Sequence, residues 1–304
     1  MLVRWCSIAV ALSALVPAAA LAQHKGDFPV KYVDRPLTLP KKMLSPEFHV
    51  GVDHFEPEGI NGTAINSVPI DAGLSYGVID DVTLYTQPLT LLIGRTDVTV
   101  FGVNNHTTHV YYGLFRLGGT FRFFHNDVVE IGGRAEFGAS GALDMLHLTG
   151  GIPLVVHAGH VVRFETGFFV SGFFPVGNAG QYLLFPHGSK ADGGIATMSG
   201  SLGNLVPIPG PGIPLNLTVQ LAEPVFLGLD TGFGLGSFHT TNSDDAAFAP
   251  LGFHLGGTIS SHAKPVADIV GKFSFPAFLV GTDDDPPQPN LWELGLTADL
   301  FLPL

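Results

Sequence analysis

Residues 291–302 read LWELGLTADLFL. Leu294, Leu296, Ala298, Leu300 and Leu302 alternate with Glu293, Gly295, Thr297, Asp299 and Phe301. A period of two sends successive side chains to opposite sides, so this is a β-strand with one apolar face and one polar or small face. The pattern returns at 215–221, where Leu215, Leu217, Val219 and Leu221 alternate with Asn216, Thr218 and Gln220, and again at 225–236 around Asp230. From Met43 onward twelve such runs can be marked, near 43–55, 68–78, 82–101, 110–123, 128–139, 144–157, 161–174, 213–221, 225–237, 249–260, 269–280 and 291–302.

Composition says what these strands face. Only 13% of the 304 residues are charged, and 39 are glycine, whereas soluble domains carry about 25% charged residues. After the first 22 residues no run of 18 apolar residues occurs, so helical spans are excluded. In hydrocarbon only helices or closed barrels satisfy every backbone group. The expectation is an all-β, transmembrane, antiparallel up-and-down β-barrel of about 12 strands, with 10–14 open. Its connections alternate in length. Those at 79–81, 125–127, 158–160, 222–224 and 261–268 are short; those at 238–248 and 281–290 are longer and polar. Short turns at one end and long loops at the other are the habit of membrane barrels. Residues 175–212, with PIPGPG at 207–212, are either one long loop or two further strands.

Ahead of the strands lie two other segments. Residues 1–22 hold Arg4 as their one charge, an apolar run from Ile8 to Val16, and Ala20-Leu21-Ala22 at a peptidase-type site, which reads as a secretory signal peptide. Cys6, the only cysteine, leaves with it, and no disulfide framework remains. Without Arg4, 13 basic residues face 26 acidic ones, a net charge of −13, which argues against nucleic acid as a partner. Residues 23–42 carry Pro29, Pro36 and Pro40 with Lys25, Lys31, Arg35, Lys41 and Lys42. Prolines this dense do not fit a central strand, so the segment is expected to be a periplasmic N-terminal arm or plug. The barrel is expected to occupy 43–304.

Three stretches carry a likeness: RPLTLP at 35–40, GLSYGVIDDVTLY at 73–85, and Glu293-x-Gly295-x-x-Ala298-x-Leu300. In these the chain resembles bacterial outer-membrane β-barrel proteins, porin-like barrels of an uncharacterised family. The resemblance implies an outer-membrane location, contact with outer-membrane lipid, recognition of the C-terminal strand by barrel-assembly machinery, and a small-molecule solute. The chain departs from the pattern in ending Phe301-Leu302-Pro303-Leu304, with Phe301 on the lumen-facing parity where such barrels present a terminal aromatic to lipid.

Parity also nominates the lumen. Arg116, Arg122, Glu130, Arg134, Glu136, Arg163 and Glu165 should point inward from one stretch of wall, and Asp230, Lys272, Glu293 and Asp299 from the rest, together with Asp53 and Asp71. Charges lining a pore select ions and orient solutes. Two arrangements are open: a transverse field across a constriction, or a ladder of Arg–Glu neighbours that fills the lumen. Aromatics gather at Tyr111, Tyr112, Phe121 to Phe124, Phe173, Phe174 and Trp292, as interface girdles do.

No catalytic residue, metal or cofactor is expected. His187-Gly188-Ser189 is the one tight His–Ser pair in a loop, without a G-x-S-x-G or His-x-Ser-Asn-Gly run. No H-E-x-x-H spacing occurs. His106 with His109 and His157 with His160 read as solvated turn residues, and Asp283-Asp284-Asp285 as a solvated loop. The expected function is a narrow porin-like channel for passive diffusion or uptake of small solutes. The alternatives are an uptake barrel for apolar small molecules with a constriction near Phe226 and Phe278, a soluble secreted β-sandwich, and an outer-membrane lipid hydrolase.

Overall fold

A computed structural model describes residues 28–55, 63–100, 103–112, 114–140, 145–175, 210–236, 246–281 and 291–304. Fourteen strands are present among them: β1 Met43–Phe55, β2 Thr63–Ile79, β3 Val82–Val100, β4 Val103–Tyr112, β5 Leu114–His125, β6 Val129–Ser140, β7 Met145–Ala158, β8 Val162–Pro175, β9 Gly210–Ala222, β10 Val225–Gly236, β11 Ala246–Ser261, β12 Lys264–Gly281, β13 Leu291–Leu300 and β14 Leu302–Pro303. Each strand from β5 to β13 pairs antiparallel with the next, β3 pairs with β2 and β5, and β13 returns to β1 through Glu47↔Asp299 and Phe48↔Ala298. A sheet whose last strand pairs with its first is closed, so this is a barrel of twelve strands and not a two-sheet sandwich. β4 stands outside the ring and β14 prolongs β13.

The alternation seen in the sequence decides which way each side chain points. On β13 Leu294 is 53% exposed, whereas its neighbour Glu293 is fully buried. The outward faces of the other strands are likewise apolar, as at Val50, Leu117, Phe168, Leu227 and Phe253. An apolar exterior around a polar interior inverts a soluble β protein and fits hydrocarbon.

Chain reversals at one end are tight. The β2–β3 turn is Asp80-Asp81, between the paired residues Ile79 and Val82. Asn126 Oδ1 accepts hydrogen bonds from the amides of Val128 (2.9 Å) and Val129 (2.7 Å) to fold the β5–β6 turn. His262 and Ala263 both have positive φ, at 52° and 59°, the geometry of a two-residue hairpin. The sequence expectation of a connection over 261–268 is corrected here: β12 begins at Lys264. Pro265 lies at a register shift against Ser260, and such an irregularity tolerates a residue with no donor. A second correction concerns 110–123, which divides into β4 and β5. β3 is 19 residues long; its first part pairs with β5 and its later part, from Leu91, with β4.

Phe28 to Lys42 lie across the tight-turn end, with one 3-10 turn at Tyr32–Asp34. Phe28 packs on Phe301 with ring centroids 5.0 Å apart, so the inward Phe301 covers the arm instead of meeting lipid. Gly77 marks the closest approach, because a Cβ there would collide with the carbonyl of Pro40. Residues 1–22, most of 175–212, the His187–Ser189 pair and Asp283–Asp285 lie outside the described residues, as do the side chains of His106, His109, Tyr111, Tyr112, Phe173, Phe174 and Phe278.

Candidate functional site

The arm and the lumen wall form one hydrogen-bonded unit. Val33 N donates to Gln220 Oε1 on β9 (3.3 Å), Leu37 N to Glu130 on β6 (3.0 Å), Thr38 Oγ1 to the Asp80 carbonyl (2.6 Å), and Leu39 N to Thr83 Oγ1 on β3 (2.7 Å). Tyr32 stacks on Phe226 of β10 with centroids 4.3 Å apart. Burial, then the nearby Glu165 carboxylate, holds its phenol above the ordinary tyrosine range. Extended backbone with prolines has no ladder of its own, and these partners satisfy it instead.

Glu130 is the hub of one side. Its carboxylate accepts from Leu37, from Arg122 Nη1 (2.7 Å) and from His157 Nε2 (2.9 Å). His157 Nδ1 faces the Val33 carbonyl at 2.7 Å. The ring thus bridges the arm and the barrel wall, with one nitrogen toward each. The expectation that His157 is a solvated turn residue is therefore corrected: it is buried against the arm. His160 is exposed, as a turn residue would be, but its Nδ1 lies 2.9 Å from Asp34.

Each of the eleven residues nominated from parity is buried or half-buried. Arg122 bridges Asp81 (2.8 Å) and Glu130 at the tight-turn rim. Arg134 Nη2 and Arg116 Nε approach Glu136 at 3.4 Å and 3.9 Å, and Tyr85 donates to the same carboxylate at 2.9 Å. Arg163 pairs with Glu165. Asp230 sits 3.0 Å from His254 and 3.9 Å from Lys272. Glu293 lies 3.9 Å from His49 and accepts from Ser274 at 3.3 Å. Asp299 borders both cavities described below. The four nominated arginines share β5, β6 and β8, Asp230, Glu293 and Asp299 lie on β10 and β13, and each of these arginines has a carboxylate beside it. These contacts are the ladder of Arg–Glu neighbours.

Parity reasoning did not nominate Glu47, Asp268, Arg35 or Tyr32. Pro46 interrupts the alternation beside Glu47, and Asp268 fell in the supposed 261–268 connection. Arg35 and Tyr32 belong to a segment with no period to read. Above the arm is a cavity of about 250 Å³ lined by residues that include Tyr32, Arg35, Glu47, Asp71, Arg134 and Glu136. A smaller one of about 70 Å³ adjoins it through Tyr32, Glu47, Glu165 and Asp299 and reaches Asp230, His254 and Lys272. Among the described residues no cluster of metal-ligating side chains is found.

No protein-family model matches the sequence, and no curated protein matches it. In shape the chain is similar to an outer membrane channel from Pseudomonas putida F1, with TM-score 0.59 and 13% identity over 87% of this chain and 97% of that one. Fainter likenesses join it to the NanC porin (TM-score 0.46, 8% identity, 84% of this chain and 100% of that) and to the KdgM porin in complex with disordered oligogalacturonate (0.45, 5%, 84% and 98%). The chain has the fold of outer-membrane channels.

Proposed function

We propose that this protein is an outer-membrane channel through which small polar solutes diffuse or are taken up, with its own N-terminal arm seated across the periplasmic mouth. The observation that carries the reading is a polar, charged inner wall enclosing a cavity within a barrel whose outer face is apolar. Residues 1–22 would direct export, the outward leucines and phenylalanines would meet outer-membrane lipid, and the C-terminal strand would engage the assembly machinery. The eleven charged residues nominated above would line the solute path. Inward carboxylates outnumber inward cations among the described residues, so the path should favour cations. Uptake of apolar molecules ranks below this reading, because the inward rings Phe226 and Phe301 are covered by Tyr32 and Phe28.

The test is current across a planar bilayer, recorded for the mature chain and for a chain lacking residues 23–42. Small or infrequent steps are expected from the first and larger ones from the second, with reversal potentials in a salt gradient that favour cations. Protein that is folded by heat-modifiable gel migration but passes no current in either form would overturn the reading.

A further inference from the structure

Three carboxylates run side by side across consecutive strands at the edge of the large cavity. Asp268 on β12 is the register partner of Asp299 on β13, and Asp299 is the register partner of Glu47 on β1. Like charges directly opposite each other destabilise a sheet. The cation paired with this row at Asp268 is Arg35. Arg35 belongs to the arm and not to the barrel.

Its guanidinium is held from both sides: Nε donates to the Pro29 carbonyl at 3.1 Å and Nη2 to the Val30 carbonyl at 3.3 Å within the arm, and the remaining bonds go to the barrel. Nη1 and Nη2 form a two-pronged pair with the two oxygens of Asp268, Nη2 reaching Oδ1 at 2.9 Å. Nη2 also donates to Thr258 Oγ1 at 3.1 Å, and that hydroxyl donates to Asp268 Oδ1 at 2.8 Å. The Phe301 ring lies 4.9 Å from Cζ, with Phe28 at 5.0 Å and Tyr32 at 5.5 Å. A forked carboxylate flanked by ring faces suits a guanidinium or an ammonium. Asp268, Thr258 and Phe301 stay with the barrel if the arm leaves, and the row would then lack the cation that Arg35 supplies.

We propose that the Asp268–Asp299–Glu47 row is a binding site for the guanidinium or ammonium group of small solutes, and that Arg35 is its tethered occupant. A solute carrying such a group competes with Arg35, takes its place and frees the arm. The solute that is to pass thereby opens the mouth, and because both occupy one site a docked arm excludes that solute. This rests on the channel reading.

The test follows the arm directly. Val33 is fully buried, and the sequence has no cysteine beyond Cys6, so Val33→Cys in the mature chain gives a single thiol that a bulky maleimide reaches only when the arm is out. Methylguanidinium chloride at millimolar concentration should speed labelling severalfold over sodium chloride of equal ionic strength, and neutral methylurea should not. With Asp268→Asn added, labelling should be fast from the start and indifferent to methylguanidinium. With Glu47→Gln, a milder change that keeps the Asp268 fork, the response should shrink. Equal rates in methylguanidinium and sodium chloride would overturn the proposal, as would a full response retained in Asp268→Asn. Labelling that responds without any bilayer current would uphold the latch and defeat the channel; current without a labelling response would do the reverse.

Discussion

A charge placed on the lipid face should cost far more than the same charge one residue away on the lumen face, and β13 lets the difference be sized. Leu296 is half exposed on the outside, between Val50 of β1 and Gly271 of β12. It is the sixth of ten residues in its strand. At about 3.3 Å per residue and a tilt near 45°, that places it roughly 12 Å below the strand start. The middle of an apolar band about 25 Å tall is at that depth. Leu296→Arg should therefore destabilise by about 2–4 kcal/mol, a roughly 30- to 700-fold fall in the folding constant. Thr297 points inward, 3.0 Å from His49 Nδ1, so Thr297→Arg forfeits one neutral hydrogen bond, about 1 kcal/mol, beside the carboxylate of Asp299. Leu302→Arg keeps the outward face but sits at the rim, where a cost of about 0–1 kcal/mol is expected. Urea titrations in lipid vesicles measure all three, and Trp292 is the only tryptophan beyond Trp5, which makes it a clean fluorescence probe. If Leu296→Arg proves no costlier than Thr297→Arg, or if Leu302→Arg costs as much as Leu296→Arg, the assignment of faces is wrong.

Further expectations concern the arm and the charges. Glu130→Gln takes from Arg122 one of its two carboxylates, leaving Asp81, and weakens the bonds from Leu37 and His157; it should lower stability by about 1.5–3 kcal/mol while making Lys31 and Lys41 sensitive to trypsin, and an unmoved urea midpoint with a protected arm would contradict the hub. Gly77→Ala drives a methyl into the Pro40 carbonyl, so trypsin should cut the arm faster while the barrel keeps its heat-modifiable migration; unchanged protection would refute that contact. Changing Arg122 and Arg134 together to alanine should shift reversal potentials further toward cations and also cost about 3–5 kcal/mol in urea, since the pairs are buried. A stable variant with unaltered selectivity would place both residues away from the solute path.

Strand positions and faces were legible because burial on one side and lipid on the other impose the same period of two all round the ring. Sequence reading placed β1 at 43–55, where it is, and put Glu293 and Asp299 inside with Leu294 and Leu296 outside. What it could not supply was anything set by contact between distant segments without a period. The arm's prolines said only what it was not, and its docking depends on Gln220, Glu130, Asp80 and Asp268, which are adjacent to it only after closure. Phe301 looked like a defect in the terminal signal when judged by strand pattern alone. In the barrel it is the wall against which Phe28 packs. The overhang of β3 and β4 was hidden for a different reason: alternation continues unbroken whether a strand lies in the wall or projects beyond it.

The separation of partners along the chain orders the assembly. Arg134 with Glu136 and Arg163 with Glu165 are two residues apart on single strands, and Arg122 with Glu130 spans one hairpin, so these pairs form as each hairpin forms. Arg35 and Asp268 are 233 residues apart, and the site also needs Thr258 from β11 and Phe301 between β13 and β14. Loop closure over such distances costs entropy before any contact returns it. Asp268, Thr258 and Phe301 come together once β11, β12 and β13 have paired, and the closing ladder of β13 on β1 adds Glu47 to the row. The arm's anchors, Thr83, Glu130, Gln220 and Asp268, are spread over β3, β6, β9 and β12, so arm docking is expected to follow the barrel and not to template it. In refolding from urea into vesicles, the β-sheet signal should be complete before Lys31 and Arg35 gain protection from trypsin, and Arg35→Ala should leave the first phase unchanged while abolishing the second. Protection that rises together with the sheet signal, or a sheet phase slowed by Arg35→Ala, would show that the arm takes part in closure.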